Sequence, residues 1–319
     1  MRTLVDSIDV SQYKGIIETV VTEALHRCVC EPLNRQIEVA DEVLKALKKH
    51  CPALGVILHF AWRPNGLSAV WVTGLPVFPI ENRKAANKLL SLALGRVLGL
   101  PFQYLQQKPG DIVSALEPRH GAVENSNSSS AHFGAHTDDA FFLPQYRCRH
   151  ITLLGEKNDS HTETGFAPIE DILDWVEKNG KSEYVDLLQQ DMFSFRRPHS
   201  FAGDGPSWSP PRPIVYTTAW DEIAVQAPTY NCKVLQPRAN EAFEVFKLAT
   251  DHCMRWFSID PGCWLAFRND RGLHSRKAIV GSDQSGISRR VWRTYFRPDL
   301  DALRKVTGSE HVFDIRNFC

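Results

Sequence analysis

Two separate segments of the sequence carry side chains that could hold one metal ion. His136 and Asp138 are separated only by Thr137, and on a strand residues two apart point to the same side. That side would offer two of the three ligands of a 2-His-1-carboxylate site, which holds Fe(II) and leaves coordination positions open. His274 follows the strand-like run 263–267 (CWLAF) and is the candidate for the second imidazole. The sequence therefore predicts a metal centre at His136, Asp138 and His274.

A cluster of arginines lies on the last apolar strand. Arg289 and Arg293 share one face of the predicted strand 289–296, whereas Arg290 and Trp292 take the other. Two cations on one side of a sheet need an anion, and arginine holds a carboxylate through a planar, two-pronged hydrogen bond. A dicarboxylate fits both features, because one end could chelate the iron while the other meets a guanidinium. We therefore expect a dicarboxylate co-substrate beside the metal.

Together these motifs resemble those of a known enzyme family. The segment 136–141 (HTDDAF) is similar to the metal motif of the Fe(II)/2-oxoglutarate-dependent oxygenases. It is most similar to HTEDAF of the clavaminate synthase-like branch of the taurine dioxygenase superfamily. The segment 274–276 (HSR) resembles the distal His-Gly-Arg of that branch. Arg289 resembles its 2-oxoglutarate arginine, Arg293 a second arginine downstream, and Thr164 the threonine that contacts 2-oxoglutarate. The likeness extends over residues 106–300.

The chain departs from this pattern at a few positions. Asp138 stands where the branch usually has Glu, and Asp is common in the wider superfamily. Ser275 stands where Gly is usual, a small-for-small change beside the histidine ligand. The spacing from His274 to the arginine is one residue longer, which makes Arg290 the alternative to Arg289. Strand parity with Arg293 favours Arg289.

The resemblance implies a dioxygenase that uses Fe(II), 2-oxoglutarate and O2. The iron ligands would be His136, Asp138 and His274, and 2-oxoglutarate would be held by Arg289, Thr164 and Arg293. The enzyme would hydroxylate an unactivated C–H bond while 2-oxoglutarate is decarboxylated to succinate and CO2. Desaturation, cyclisation or epoxidation in natural-product biosynthesis is the alternative outcome of the same cofactor chemistry.

The expected substrate is a small molecule, a free or carrier-bound polar amino acid or a related metabolite. The candidate substrate-binding residues are Ser126, Ser128, Gln106, Gln226 and Arg293. Arginine hydroxylases of the branch place acidic residues on the strand before the long C-terminal helix. Here Asp221 and Glu222 lie nearby but out of register, and Gln226 leaves room for a neutral polar side chain.

The elements that must position these residues form a mainly β core with flanking helices. Helical periodicity covers 16–29, 32–50, 83–98, 169–179, 183–190 and 241–257, with a possible N-cap at Ser182. Short strands are predicted at 55–62, 69–73, 132–136, 150–155, 192–195, 214–218, 233–235, 262–268 and 289–296, and around Phe102 and Ile112. This order indicates an α+β protein, a double-stranded β-helix (jelly roll, cupin-like) flanked by helices. We expect one catalytic domain over 1–319, with helical elements of 1–100 packed on the core of 101–300.

Composition narrows the class of protein. The 319 residues hold 37 Lys+Arg and 37 Asp+Glu, and this balance argues against a general nucleic-acid binder. The eight cysteines are scattered and form no CxxC pair. The first ten residues lack the apolar stretch of a signal peptide, and no run suggests a membrane span. We expect a cytoplasmic protein with reduced thiols.

Two other readings compete with the oxygenase. His132 and His136 have the spacing of two zinc ligands on one helix face, although Gly134 and the preceding serines disfavour a helix there. The other alternative is a jelly-roll binding protein that has lost its catalytic metal.

Overall fold

The computed structural model describes residues 5–28, 31–52, 54, 66–107, 111–119, 121–122, 124, 126–201, 206–280 and 287–314. Most described elements lie where the sequence predicts them, and the strand at 69–73 has the predicted bounds. The predicted strand at 55–62 lies outside the described residues. None of the described helices is both long enough and apolar enough to cross a membrane.

Seven α-helices lie in the described part of the chain. They are α1 Lys14–Leu25, α2 Leu33–His50, α3 Arg83–Gly95, α4 Ile169–Lys178, α5 Ser182–Leu188, α6 Asn240–Cys253 and α7 Asp301–Thr307. In α2 the apolar stripe that includes Ile37, Val43 and Leu47 is buried. Its basic last turn, 48–50, lies at the negative end of the helix dipole. The amphipathic pattern therefore fixes which face of such a helix meets the core.

The strands form two larger sheets and two sheets of two strands each. In chain order they are β1 Val5–Asp9, β2 Ala69–Thr73, β3 Leu100–Tyr104, β4 Val113–Leu116, β5 Phe133–His136, β6 His150–Asn158, β7 Glu163–Pro168, β8 Phe193–Phe195, β9 Val215–Thr217, β10 Ile223–Val225, β11 Cys232–Val234, β12 Arg255–Ser258, β13 Trp264–Arg268, β14 Gly272–Arg276, β15 Arg289–Arg297 and β16 Val312–Phe313. The large sheet has the order β1-β2-β13-β6-β15-β3-β16, and β4 also pairs with β15. The small sheet has the order β12-β7-β14-β5. Of the two-stranded sheets, one joins β8 to β11 and the other joins β9 to β10.

The two larger sheets face each other across an aromatic core. The ring of Phe166 on β7 lies 5.3 Å from that of Phe267 on β13, and Trp71 on β2 lies 5.6 Å from Phe257 on β12. Alternation along β13 turns Phe267 toward this core and Trp264 toward the N-terminal helices. On the outer face of the small sheet, α4 and α6 cover a third apolar cluster. The site strands are thus packed on both faces.

The structure differs from the sequence predictions at several elements, and strands β1 and β16 are among those that were not predicted. The helix predicted to reach residue 257 ends at Cys253, and residues 255–258 form β12, where alternating side chains pack against the sheet core. Strands β7 and β14 were not predicted, because their polar residues interrupt the apolar pattern. The expected N-cap at Ser182 is wrong, since Ser182 is already helical and no side chain caps this end.

Candidate active site

Two neighbouring strands of the small sheet bring the predicted metal ligands together. His136 ends β5 and is directly paired with His274 on β14, and their ring centroids lie 4.1 Å apart. The Oδ1 atom of Asp138 lies 3.3 Å from Nε2 of His136 and 3.5 Å from Nε2 of His274. All three potential ligand atoms lie within 4.8 Å of one another. The register of β5 against β14 therefore assembles the cluster.

These donors suit a metal ion of the Fe(II) type. Two imidazole nitrogens and one carboxylate oxygen form the donor set of a facial triad. The Nε2 atom of His136 is buried without a hydrogen-bond partner in the described chain, while its Nδ1 lies 2.8 Å from the carbonyl of Gly134. Such a backbone contact orients a metal-binding imidazole. Burial and the neighbouring His136 lower the pKa of His274 to about 4, so this ring stays neutral, the form that binds a metal.

The carboxylate of Asp138 presents one oxygen to the two imidazoles. Its other oxygen, Oδ2, accepts a 2.6 Å hydrogen bond from Tyr295 and lies 3.4 Å from Nη1 of Arg293. Burial opposes ionisation, but the neighbouring imidazoles of His136 and His274 hold the pKa of Asp138 well below its ordinary value. The carboxylate is therefore ionised and is oriented by its surroundings.

The turn after β5 is held by hydrogen bonds to residues other than the candidate metal ligands. The backbone N–H of Asp138 donates to Oδ1 of Asn269 at 2.7 Å, and Nδ2 of Asn269 donates to the carbonyl of Asp138 at 3.0 Å. Thr137 points away and its N–H donates to the carbonyl of Ala227. The next residue, Asp139, adopts a positive φ of 61°, which Asp tolerates better than most side chains. The backbone is thereby clamped on both sides of the carboxylate ligand.

A glycine allows β14 to lie close to β7. A Cβ atom at Gly272 would lie 2.5 Å from the carbonyl oxygen of Ala167 and 2.5 Å from the ring of Phe166. His274 sits two residues later on the same strand and pairs with Phe166. Because a side chain at position 272 would push the strands apart, this glycine supports the placement of His274.

A small cavity runs from the three candidate metal ligands to a buried arginine. Arg289 is 4 % exposed, its Nη2 donates to Oγ1 of Thr164 at 3.2 Å, and its Nε has no partner in the described chain. Burial and the nearby charge of Arg276 lower the pKa of Arg289 to about 9, the mark of a buried cation that lacks a compensating anion. His136, Asp138 and His274 line the same cavity. This arrangement suits an anion with a second, metal-binding end.

The neighbouring Arg290 lies on the opposite face of β15, as the parity argument predicts. It donates to Glu117 at 2.5 Å and to Glu156 at 2.7 Å. Glu156 is the extra residue at a bulge in β6 and also accepts from the indole N–H of Trp292. Arg290 is thus neutralised by two carboxylates away from the small cavity.

A larger cavity of about 850 Å3 adjoins the small cavity at His136 and Asp138. Ser126 and Ser128 line it, as does Arg293. Arg293 also lines the small cavity, and its Nη2 donates to Oε1 of Gln107 at 2.7 Å. The candidate ligands His136 and Asp138 face both cavities. The cluster therefore lies where a co-substrate and a substrate could meet.

Two of the expected substrate-binding residues lie elsewhere. Gln106 does not line the larger cavity, and its amide donates to Asp314 at 2.5 Å, whereas Gln107 is directed inward. Gln226 is buried outside both cavities, where it accepts from Arg147 at 2.8 Å and donates to the carbonyl of Pro213. Both amides are satisfied by the protein itself.

The structure does not place His132 and His136 on one helix face, as the zinc-site alternative requires. His136 belongs to a strand, and His132 precedes that strand and is exposed. His132 is not part of the cluster of potential ligands found among the described residues.

Sequence reasoning missed several residues that support the cluster. Tyr295 and Asn269 contact Asp138, and Gln107 contacts Arg293. Tyr295 lies two residues after Arg293, so strand parity could have placed it on the same face. For Asn269 no such local signal exists, because its role depends on the approach of two distant turns.

The sequence has no detectable match to a protein-family model or to a curated protein. Solved structures do resemble the fold. One is an asparagine oxygenase in complex with Fe(II), 2S,3S-3-hydroxyasparagine and succinate, with a TM-score of 0.82 and 20 % identity over 98 % of this chain and 99 % of that chain.

A second similar structure is the non-haem iron oxygenase OrfP in complex with Fe, succinate and (3S)-hydroxy-L-Arg. Its TM-score is 0.78, with 18 % identity over 97 % of this chain and 99 % of that chain. OrfP in complex with Fe and alpha-ketoglutaric acid gives a TM-score of 0.77 and 19 % identity over 95 % and 98 % of the two chains. At this level of identity the likeness establishes the architecture, and the chain has the fold of the non-haem iron oxygenases.

Proposed function

We propose that this protein is an Fe(II)/2-oxoglutarate-dependent dioxygenase that hydroxylates a C–H bond of a small molecule, a free or carrier-bound amino acid or a related metabolite. The observation that carries the proposal is the buried cluster of His136, Asp138 and His274 between two cavities. The smaller cavity ends at a buried, uncompensated arginine, which suits a dicarboxylate. The similar structures hold iron, succinate or alpha-ketoglutaric acid, and hydroxylated amino acids.

We infer that the two facing sheets form a double-stranded β-helix. The chain crosses from sheet to sheet along its length: β6 and β7 lie in opposite sheets, and so do β12 and β13, then β14 and β15. Packing of α3 against β6 and β15 supports a single catalytic domain in which the N-terminal helices brace the core. The metal ligands then lie on strand β14 and at the end of β5, both in the small sheet.

The chain's own residues would position both reactants. Arg289, supported by Thr164, would hold the distal carboxylate of 2-oxoglutarate by charge-assisted hydrogen bonds. Arg293 lies at the junction of the cavities, and we assign it to the carboxylate of the substrate because Arg289 already closes the small cavity. Phe133, Phe267 and Val291 line the small cavity and would exclude water from it. When bound, iron, 2-oxoglutarate and O2 supply the oxidising chemistry.

The experiment that tests this proposal is an anaerobic titration with Fe(II) and 2-oxoglutarate. We expect a weak visible charge-transfer band that requires both additions and is lost in His136→Ala and His274→Ala. Addition of O2 and amino acids should then release succinate. A well-folded, iron-loaded protein without the band would overturn the proposal and favour a zinc or binding role.

The cysteines support a reducing, cytoplasmic location. In the part of the chain that the structure describes, the free thiols are Cys28, Cys51, Cys148, Cys232, Cys253 and Cys263. Thiols of this kind persist in compartments that also keep iron in the Fe(II) state.

A further inference from the structure

Arg276 ends the segment 274–276 (HSR) that begins with the candidate ligand His274. It lies two positions after His274 on β14, so the two side chains point to the same face of the strand, and both line the small cavity. Strand β14 pairs with β5 on one side and with β7 on the other, which fixes the backbone that carries Arg276. Because Arg276 is only 6 % exposed, the groups that it contacts indicate its function.

The guanidinium of Arg276 holds the segment 126–131, which precedes β5. Its Nη2 donates to the carbonyl of Ser129 at 2.6 Å and to that of Ala131 at 3.0 Å. Its Nη1 donates to the carbonyl of Lys277 at 3.3 Å. Burial lowers the pKa of Arg276 to about 10, and no carboxylate in the described chain offsets that effect. This buried cation therefore spends its hydrogen bonds on backbone carbonyls, two of which belong to one segment.

The segment 126–131 needs these bonds because it lies outside the sheet. Strand β5 begins at Phe133, which pairs with Arg276, and the residues before Phe133 form turns and bends. A backbone bond from the N–H of Ile279 to the carbonyl of Ser130, 2.8 Å long, also ties the segment to the chain after β14. Since buried carbonyls must find partners, the side chain of Arg276 continues the contact between the two strands where the backbone ladder ends.

The tip of the segment reaches both cavities. Ser126, Asn127 and Ser128 line the larger cavity, and Asn127 lines the small cavity as well. The N–H of Ser129 donates to the carbonyl of Ser126 at 3.1 Å, which closes the tip into a turn. The position of this turn beside the candidate metal ligands therefore depends on how its base at 129–131 is anchored.

We propose that Arg276 is a positioning residue for the substrate, because by anchoring Ser129 and Ala131 it holds Asn127 at the junction of the two cavities. The proposal rests on the proposed oxygenase function and names the device that shapes the same site. With the anchor in place the turn is ordered before the substrate arrives, so binding loses less entropy. Without it the turn would have to become ordered during binding, and water would enter between the two reactants.

Amide hydrogen exchange of the full chain tests the anchor without any ligand. In Arg276→Gln the two carbonyls lose their charged donor, so we expect exchange over 126–131 to become faster by ~10–100-fold. The amides of β13 should keep their protection, which separates local opening from a loss of global stability. Arg297→Gln is the matched control, since this arginine donates to the carbonyls of Pro144 and Arg147, which line neither cavity. It should leave exchange over 126–131 unchanged.

Steady-state kinetics test the effect on the substrate. The probe is the proteinogenic L-amino acid that gives the fastest succinate release with the iron-loaded wild-type protein. Arg276→Lys keeps the positive charge that acts on Arg289 but replaces the planar guanidinium with a single nitrogen. We expect this variant to raise KM for the amino acid by ~10-fold with a smaller change in kcat. The 2-oxoglutarate concentration for half-saturation should stay close to that of the parent, and Arg297→Gln should keep both constants.

The outcomes distinguish this proposal from the oxygenase function. An absent Fe(II)/2-oxoglutarate band in the wild-type protein would overturn the oxygenase function, whatever the exchange data show. A normal band with unchanged exchange over 126–131 in both Arg276 variants would overturn only the positioning role. An unchanged KM for the amino acid with a raised requirement for 2-oxoglutarate would do the same, because Arg276 would then act on the co-substrate through its charge. The exchange result decides alone where no proteinogenic amino acid is turned over.

Discussion

The hydroxyl of Tyr295 donates a 2.6 Å hydrogen bond to Oδ2 of Asp138 and leaves Oδ1 facing both imidazoles. Asp is one methylene shorter than the Glu usual in the HTEDAF motif, so the shorter carboxylate reaches the cluster in an orientation that Tyr295 and Arg293 help to set. A hydrogen bond to a ligating carboxylate orients the ligand and tunes the metal. The relation between Tyr295 and Asp138 is thus part of the candidate metal centre.

Removal of this hydroxyl should weaken metal binding. We expect Tyr295→Phe to lower the affinity for Fe(II) by ~10–100-fold, the usual cost of losing a hydrogen-bond partner of a ligand. An anaerobic metal titration of the purified protein measures it. Tyr216→Phe, which removes another largely buried hydroxyl near Arg147, is the control and should keep the parent affinity. Equal affinities in the two variants would contradict the role of Tyr295.

The two hydrogen bonds between Asn269 and the backbone of Asp138 should contribute both to stability and to metal binding. Asn269→Ala leaves the buried N–H and carbonyl of Asp138 without this partner, so we expect the free energy of unfolding to fall by about 1–3 kcal/mol. We also expect weaker Fe(II) binding, since the carboxylate turn loosens. Asn158→Ala is the matched control, because this buried amide bonds Asp260 and Thr162 instead. It should lose stability and keep its metal affinity.

The two adjacent arginines of β15 should behave differently toward 2-oxoglutarate. Arg289→Gln removes the buried cation of the small cavity and should raise the 2-oxoglutarate concentration for half-saturation by ~100-fold or more. Arg290→Gln should leave that concentration unchanged, because Arg290 pairs with Glu117 and Glu156 on the other face. The visible titration measures both constants. A defect in Arg290→Gln alone would reverse the assignment.

The adjacent glutamines offer a similar comparison for the substrate. Gln107→Ala removes the acceptor of Arg293 and should raise KM for the substrate by ~10–100-fold with a smaller change in kcat. Gln106→Ala should keep the parent KM, because its amide pairs with Asp314 outside the cavity. Steady-state succinate release measures both, and a larger effect in Gln106→Ala would show that the inward residue has been misassigned.

A buried histidine of the large sheet should make stability depend on pH. Burial lowers the pKa of His150, the first residue of β6, to about 3. Above pH ~6.5 neither the folded nor the unfolded state protonates this ring, so it contributes no pH dependence. Below that pH the unfolded chain binds a proton that the folded protein does not. This contribution to the free energy of unfolding therefore falls by about 1.4 kcal/mol per pH unit as the pH drops.

Urea unfolding between pH 4.5 and 7.5 measures this dependence. In His150→Gln the position carries no titratable ring, so the stability of the variant should decline less steeply with acid than that of the parent. Identical slopes for the two proteins would place the acid sensitivity in other groups.

Local pattern was sufficient for the chemistry of the metal ligands. An imidazole and a carboxylate two residues apart could be chosen from the sequence as a pair, although β5 ends at His136 and the turn held by Asn269, rather than strand parity, places Asp138. Alternation separated Arg289 from Arg290. The amphipathic helices and the apolar strands were predictable for the same reason, since each depends on a period within one element.

Contacts between residues that lie far apart in the sequence could be found only from the folded structure. His274 meets His136 because β14 pairs with β5 in one register, and Asn269 reaches Asp138 because two turns approach each other. The sequence by itself determined which donors are present, because the chemical type of each side chain is a local property. The tertiary structure alone decided that they converge and that Gln107 rather than Gln106 faces the larger cavity, because strand register and the path of the chain after β3 depend on packing across the whole core.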